Sequence, residues 1–467
     1  SINQDNFASG KGNQTGSTYA SAMLTANNKT NTATEHYYMY LNIENNTFTY
    51  SINESTPEII MTVTDSSGNE VTDISTLNHV IVTGANGTQV SGYDITNKSG
   101  LITLFDNREI TTTSSKEEKW NITITFVNYD ENQNANAGKS MSAKVMIQKE
   151  VIPQVVSDVC SNGTNLATCI TTLANKSIPS ATNIYHHDSS LSNGAGDNSY
   201  RYAGASDVVN NFVCFGSNES TCPTDNLYRI IGVFGNNVKL IKYDYGTTDE
   251  LGTDGDYSKT YKEWGMDSTY KGTYGDGERI GVYYWNNTTQ TNTWSESLLN
   301  KTNLNTNFID NIGEEWANKI ATTTWKVGGN TYSNIYSKTP SVVYQNEIVS
   351  PVTTNTTDNA TEYTAKIGLM YVSDYGFAAE PSAWTLTIGN YNNTTATSTN
   401  WMYMGLYEWT ISRNADSSDR AFGVYGDGGV NDRGVDLYYA VRPSFNLLSS
   451  VTYSKGDGTQ NSPIRIN

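Results

Sequence analysis

The chain has 467 residues, room for roughly two to four domains, and its 47 acidic side chains against 29 basic ones leave a net charge of −18. That surplus repels nucleic-acid backbones and anionic membrane surfaces, so neither is expected as a partner. Only 16% of residues are charged, yet 32 Tyr, 11 Phe and 9 Trp supply too much core-forming area for a disordered chain, and the composition is that of a β-rich extracellular protein.

No run approaches the roughly 18 apolar residues of a membrane span, so membrane insertion is not expected. The sequence opens at Ser1 without Met or signal peptide, and a matured or trimmed ectodomain is expected. Residues 1–36, with SGKGNQTGSTYASAMLTANNKTNTATEH, stay sparse in apolar side chains until Tyr37. They read as a flexible arm, or as an edge strand awaiting a partner.

Residues 37–149 turn to period two. YYMYLNIENNTFTYSI, EIIMTVTDSSGNEVTDI, WNITITFVNYD and MSAKVMIQ alternate β-branched or aromatic residues with polar ones, separated by Asn, Asp, Gly and Ser clusters. Short strands at this spacing predict an immunoglobulin-like β-sandwich, an architecture suited to a stalk. The antibody-type cysteines are absent, so the architecture alone is implied.

Residues 150–184 read as a disulfide-containing linker between two modules. A short helix is predicted over Asn165 to Ala174, before Pro179 ends it. The 4 cysteines of the chain form two close pairs, Cys160 with Cys169 and Cys214 with Cys222. More than one connectivity is compatible with them, but each near pair closes a short polar loop, and local pairing is expected. Zinc is the alternative, against which stands spacing wider than CxxC. Two disulfides imply an oxidising compartment.

A second domain is expected over residues 185–467. YRIIGVF and VKLIKY read as strands joined by Gly235-Asn236-Asn237. Leu298, Leu299, Leu304, Phe308, Ile309, Ile312, Trp316 and Ile320 recur at helical spacing and predict two or three short helices. Beyond Lys366 the pattern returns to strands separated by long polar loops.

The runs NLYRIIGVF, AKIGLMYVSDYGFA, NWMYMGLYEWTISRN, Ala421 to Val424 and YAVRPSF together resemble the C-type-lectin-fold ectodomains of bacterial surface proteins. That superfamily includes formylglycine-generating-enzyme-like domains and the variable proteins diversified by retroelements. The resemblance implies a mainly β chain with a small α+β head, in which strands hold a frame and long loops form a changeable binding face. Trp409, Phe422, Val424, Val430, Val435, Val441 and Phe445 would then point inward. Asp416, Ser417, Ser418, Asp419, Arg420, Tyr425, Asp427, Asn431, Asp432, Arg433, Asp436 and Tyr438 would line one surface. Of these, Arg420, Tyr425, Asp427, Asn431, Asp432, Arg433, Asp436 and Tyr438 are the candidate ligand-binding residues. Tyr, Arg, Asp, Asn and Ser are also paratope residues. In diversified relatives, adenine-directed mutation of Asn codons yields much this set, so the segment resembles a variable region. An ordinary solvated loop surface is the alternative.

Catalysis is not expected. The formylglycine-generating enzymes use cysteines late in the domain, and here no Cys follows Cys222. The histidines, His36, His79, His186 and His187, lie too early in the chain for a Ser/His/Asp arrangement in this domain. Glu314 with Glu315 and Asp374 with Glu380 are the carboxylate pairs that remain. Calcium has oxygen-rich turns available at Asp244 to Tyr257 and Gly275 to Gly281. The sugar-binding signature of animal lectins survives only as Glu380-Pro381-Ser382 and an earlier Trp285-Asn286-Asn287, so calcium-dependent monosaccharide binding is not expected. No cofactor is expected beyond an optional structural ion in the Asp244 to Asp256 loop. N-x-S/T sequons such as Asn121-Ile-Thr and Asn393-Thr-Thr are common, but Asn and Thr are abundant enough to produce them by chance.

These readings lead to an extracellular binding protein or adhesin of a bacterial cell surface, recognising a protein or glycan on another cell or a phage. The alternative is a structural subunit of a surface filament or layer, self-assembling through the residue 1–36 arm or an edge strand.

Overall fold

A computed structural model of the chain describes residues 2–3, 12–26, 32–259, 270–274, 279–351 and 360–467. It is mainly β and divides into two units, Ser1–Gln154 with Asn175–Ala181, and Val155–Ala174 with Thr182–Asn467. Among the described residues no helix is long and apolar enough to cross a membrane.

In the first unit the period-two alternation becomes two antiparallel sheets around a shared core. One runs Gln14–Thr25, Ser115–Phe126, Ile59–Asp65, Gln89–Asp94, His79–Thr83; the other Ile2–Asn3, Ser140–Gln148, Ala33–Asn46, Gly100–Thr112. Met39, Leu41 and Ile43 of one sheet and Met61, Val63 and Ile122 of the other are buried together. The Trp120 ring is also held by hydrogen bonds: its Nε1 donates to the Tyr37 hydroxyl at 2.9 Å, which donates to Glu118 Oε2 at 2.7 Å.

The reading of residues 1–36 as a flexible arm is corrected over its described part. Gln14–Thr25 is a strand in register with Ser115–Phe126 along its whole length, and Ala33 already opens the next one. Ala20, Ala22 and Leu24 pack on the core while Tyr19, Ser21 and Met23 face out. Alanine and serine alternating carry little hydropathy contrast, which hides the period.

The linker expected over residues 150–184 is likewise divided. The helix Leu166–Lys176 buries Leu166, Ile170 and Leu173 in the core of the second unit, so residues 155–174 belong there. Residues 175–181 belong to the first unit, where Ser177 Oγ donates to Gln154 Oε1 at 2.6 Å and Ile178 is buried. Pro179 does not end that helix but opens a further turn, Pro179–Thr182. Its fixed φ and missing N–H suit a first helical position.

The second unit carries both disulfides in the expected pairing, Cys160–Cys169 and Cys214–Cys222. Leu227–Phe234 and Asn237–Lys242 form the expected hairpin, with Gly235 at φ +60° in its turn. They belong to a sheet ordered Ile184–His186, Tyr200–Tyr202, Leu227–Phe234, Asn237–Lys242, Ser444–Asn446, Ile367–Gly368. A second sheet runs Tyr257–Ser258, Val282–Tyr284, Tyr438–Ala440, Glu408–Arg413, Arg420–Val424, Val430–Gly434.

Helices stand where the apolar spacing put them, at Leu299–Phe308, Ile309–Ile312 and Glu314–Ala317. The first is a π-helix, which apolar spacing does not announce. Its asparagines favour the wider turn: Asn305 Nδ2 donates to the Asn300 carbonyl five residues back at 3.0 Å, and Asn303 caps the Leu251 carbonyl at 2.8 Å.

Candidate functional face

The frame residues of the Trp409 to Phe445 segment are all buried: Trp409, Phe422, Val424, Val430, Val435, Val441 and Phe445. The polar residues between them are sorted by strand alternation. Arg420–Val424 and Val430–Gly434 pair so that Arg420 faces Gly434, Phe422 faces Asp432, and Val424 faces Val430. Ala421 with Arg433, and Gly423 with Asn431, point the other way.

The segment's polar residues therefore do not line one surface, and Asp432 is the clearest correction. Opposite the buried Phe422, it is 4% exposed, accepting from Asn414 Nδ2 at 2.6 Å and from Arg420 NH1 at 3.2 Å. Both residues serve the fold on that side. Tyr438 falls on the same side by alternation from Tyr439 and makes an edge-to-face contact with Tyr284, centroids 5.5 Å apart. Asp427 is exposed in the hairpin turn, where Oδ1 accepts the Gly429 N–H at 3.0 Å. Asp436 is exposed in the connection after Gly434.

The opposite side brings Tyr425, Asn431 and Arg433 together with the expected frame residue Trp409 and with Tyr407 and Tyr439, which sequence reasoning did not single out as site residues. The Arg433 guanidinium lies 4.7 Å from the Tyr425 ring centroid, and its NH1 donates to the Asp432 carbonyl at 2.9 Å. Tyr425 packs on Tyr407 at 4.9 Å, Tyr407 on Tyr439 at 5.2 Å, and Tyr439 on Trp409 at 4.3 Å. Small residues permit this ladder: a Cβ on Gly423 would stand 2.8 Å from the Glu408 carbonyl and 3.4 Å from the Tyr439 ring. The ladder grades from buried Trp409 and Tyr439 to half-buried Tyr407, Tyr425 and Arg433. Burial raises the Tyr425 phenol above its usual value, with Arg433 pulling the other way, so it is a neutral donor at ordinary pH. Tyr407 precedes Trp409 by two residues, and that period was the available signal.

The other sequence candidates sit in structural roles. Asp244 is buried and accepts the Tyr270 hydroxyl at 2.6 Å, the Tyr245 N–H at 2.8 Å and the Thr273 N–H at 2.6 Å. Asp256 accepts N–H groups of Asn287 at 3.1 Å and Leu299 at 2.9 Å. Protein donors occupy these carboxylates, and among the described residues no group of three His, Cys, Asp or Glu is placed to hold a metal. Of the Gly275 to Gly281 turn, residues 275–278 lie outside the described residues. His187 is buried between Phe377 and Trp384, its Nδ1 accepting the Ala195 N–H at 3.0 Å. Burial, with Arg201 adding to it, lowers its pKa to about 2. Glu314 and Glu315 are exposed.

No family model, curated protein or solved structure matches this chain.

Proposed function

We propose that the chain is an extracellular binding protein of a bacterial cell surface, an adhesin whose second unit is C-type-lectin-like and whose first is an immunoglobulin-like stalk. The observation that carries it is the Tyr407–Tyr425–Arg433 face, a half-buried aromatic and guanidinium cluster anchored on a buried Trp and Tyr. Tyr and Arg dominate binding hot spots because they offer large contact area and directed hydrogen bonds from side chains already held in place. Two disulfides support an exported, oxidising location. The net charge of −18 favours a neutral or cationic protein or glycan over an anionic one.

The test is a Tyr425→Ala, Arg433→Ala double variant alongside Tyr438→Ala, applied to whole cells and to glycan and protein arrays. The double variant is expected to lose about tenfold or more in affinity at nearly unchanged melting temperature, and Tyr438→Ala to keep it. Undiminished binding by the folded double variant removes this face from recognition.

A second reading, a self-assembling filament subunit, is favoured by the two edges of the five-stranded sheet. Tyr19 and Met23 on one edge strand are 64% and 68% exposed, and Ile81 on the other is 65% exposed. Sedimentation at high concentration separates the readings: a monodisperse monomer supports the adhesin, ordered polymers the filament.

A further inference from the structure

Arg201 in the strand Tyr200–Tyr202, Lys239 in the strand Asn237–Lys242 and Asp374 in the helix Val372–Ala378 meet inside the second unit, where they border a cavity of about 220 Å³. Their side chains are 3%, 5% and 3% exposed. Lys239 Nζ donates to Asp374 Oδ2 at 2.5 Å, and the same oxygen accepts the Tyr371 N–H at 3.0 Å. Arg201 gives Nε to the Ser199 hydroxyl at 2.8 Å and NH2 to Asp197 at 2.6 Å. Its NH1 stands 3.6 Å from Asp374 Oδ1, beyond hydrogen-bond length. Glu347, also buried, is committed elsewhere: it accepts the N–H groups of Val372 and Ser373 at 3.0 Å each and the Ser412 hydroxyl, and it does not border the cavity.

An ammonium has three N–H donors, and among the described residues Asp374 is the only acceptor that reaches Lys239 Nζ. Burial lowers the Lys239 pKa although Asp374 opposes it, as expected of an ammonium that one carboxylate does not fully compensate. The cavity therefore presents donors with capacity to spare, on Lys239 Nζ and Arg201 NH1, beside an acceptor with capacity to spare, Asp374 Oδ1. The charges themselves already balance: Lys239 with Asp374, Arg201 with Asp197 and, at the rim, Lys326 with Glu362. A ligand with a single net charge would bring that charge uncompensated out of water, whereas a ligand with one charge of each sign would not. The spare donor and acceptor are 3.6 Å apart, which suits opposite charges carried on one carbon atom rather than at the ends of a chain. The rest of the wall is apolar or aromatic, from Phe234, Trp325, Tyr344, Tyr371 and Ile348.

We propose that this cavity is a binding site for a free α-amino acid with an apolar side chain. The ligand's carboxylate accepts from Lys239 Nζ and Arg201 NH1, its ammonium donates to Asp374 Oδ1, and its side chain meets the aromatic wall. The size agrees: 220 Å³ exceeds the share of one water, about 30 Å³, and falls below the roughly 300–1,000 Å³ of drug-sized pockets, which leaves room for one residue-sized molecule. Solvent reaches the edge of the cavity at Thr324, which is exposed, and at Lys326, whose side chain is 33% exposed. The site shares no residue with the Tyr407–Tyr425–Arg433 face, so loss of either leaves the other intact.

Isothermal titration calorimetry of the full chain with leucine, and separately with phenylalanine, is expected to give saturable binding with a Kd of about 1 mM or tighter and a matching rise in melting temperature. Isocaproate, which is leucine without its amine, and isoamylamine, which is leucine without its carboxylate, are expected to bind at least about tenfold more weakly. Lys239→Met is expected to cost leucine binding about tenfold or more. Since that change removes one partner of a buried ion pair and can prevent folding, Ile348→Trp fills the cavity from its half-buried edge instead, and is expected to abolish leucine binding at nearly unchanged melting temperature. No binding of either amino acid by the wild-type chain overturns the site, and this measurement needs no variant to fold. Isocaproate or isoamylamine binding as tightly as leucine overturns the zwitterion. Undiminished leucine binding by a folded Ile348→Trp chain overturns its place in this cavity.

Discussion

Burial acts on Glu347 and His187 with opposite consequences for stability. Glu347 is raised from 4.5 to about 7, so between these values the folded chain holds a proton that the unfolded chain has released. Its contribution is fully present below pH 4.5 and is lost as pH rises through 7. His187 is lowered from 6.5 to about 2, so below pH 6.5 the unfolded chain gains a proton that the folded chain refuses. Its contribution is present above pH 6.5 and is lost as pH falls. Over the shared window the slopes of these two groups offset each other. Glu347→Gln removes one slope and exposes the other, so the variant should lose about 2 kcal/mol relative to wild type between pH 6.5 and 5, measured by urea unfolding of both chains at each pH. Equal slopes in variant and wild type would show that Glu347 is not protonated in the fold.

At the scale of the element, the hairpin of Arg420–Val424 and Val430–Gly434 separates a frame from a face. Trp409 is fully buried, donates Nε1 to the Tyr283 carbonyl at 2.9 Å and packs on Tyr439 with the rings tilted by 31°. Trp409→Ala should therefore cost about 3–5 kcal/mol in thermal or denaturant unfolding, whereas Asp419→Ala, on an exposed residue, should shift stability by less than about 0.5 kcal/mol. The frame was legible because large apolar side chains in a polar background have one place to go. Asp432 was not, because a carboxylate opposite Phe422 is accommodated only by Asn414 and Arg420, and no residue type declares such partners in advance. The strand Gln14–Thr25 and the π-turns of Leu299–Phe308 escaped for related reasons. Alanine and serine carry too little contrast in the first, and asparagine hydrogen bonds set the winding in the second.

For the molecule as a whole, the path of the chain around residues 154–182 decides where it can be divided. Cutting at the sequence-expected boundary of residue 185 removes Leu166, Ile170 and Leu173 from the core of the second unit, and with them the bridge between Asn165 and Thr452. A fragment starting at residue 155 is expected to melt cooperatively. One starting at residue 185 should be destabilised by several kcal/mol or fail to fold, since each lost Leu or Ile is worth about 2–5 kcal/mol. Equal melting temperatures for the two fragments would show that the helix is an ornament of the second unit rather than part of it. The same path has a consequence for synthesis. Because a chain emerges from its amino end, the helix Leu166–Lys176 is made long before Val451, Thr452 and Tyr453, whose backbone groups hold its approach at Leu166, Asn165, Thr164 and Gly163. During that interval its apolar side has no core to enter. The Cys160–Cys169 bridge is a restraint this segment is able to acquire at once, and it acts as a placeholder that keeps the first piece of the unit shaped until the last piece arrives.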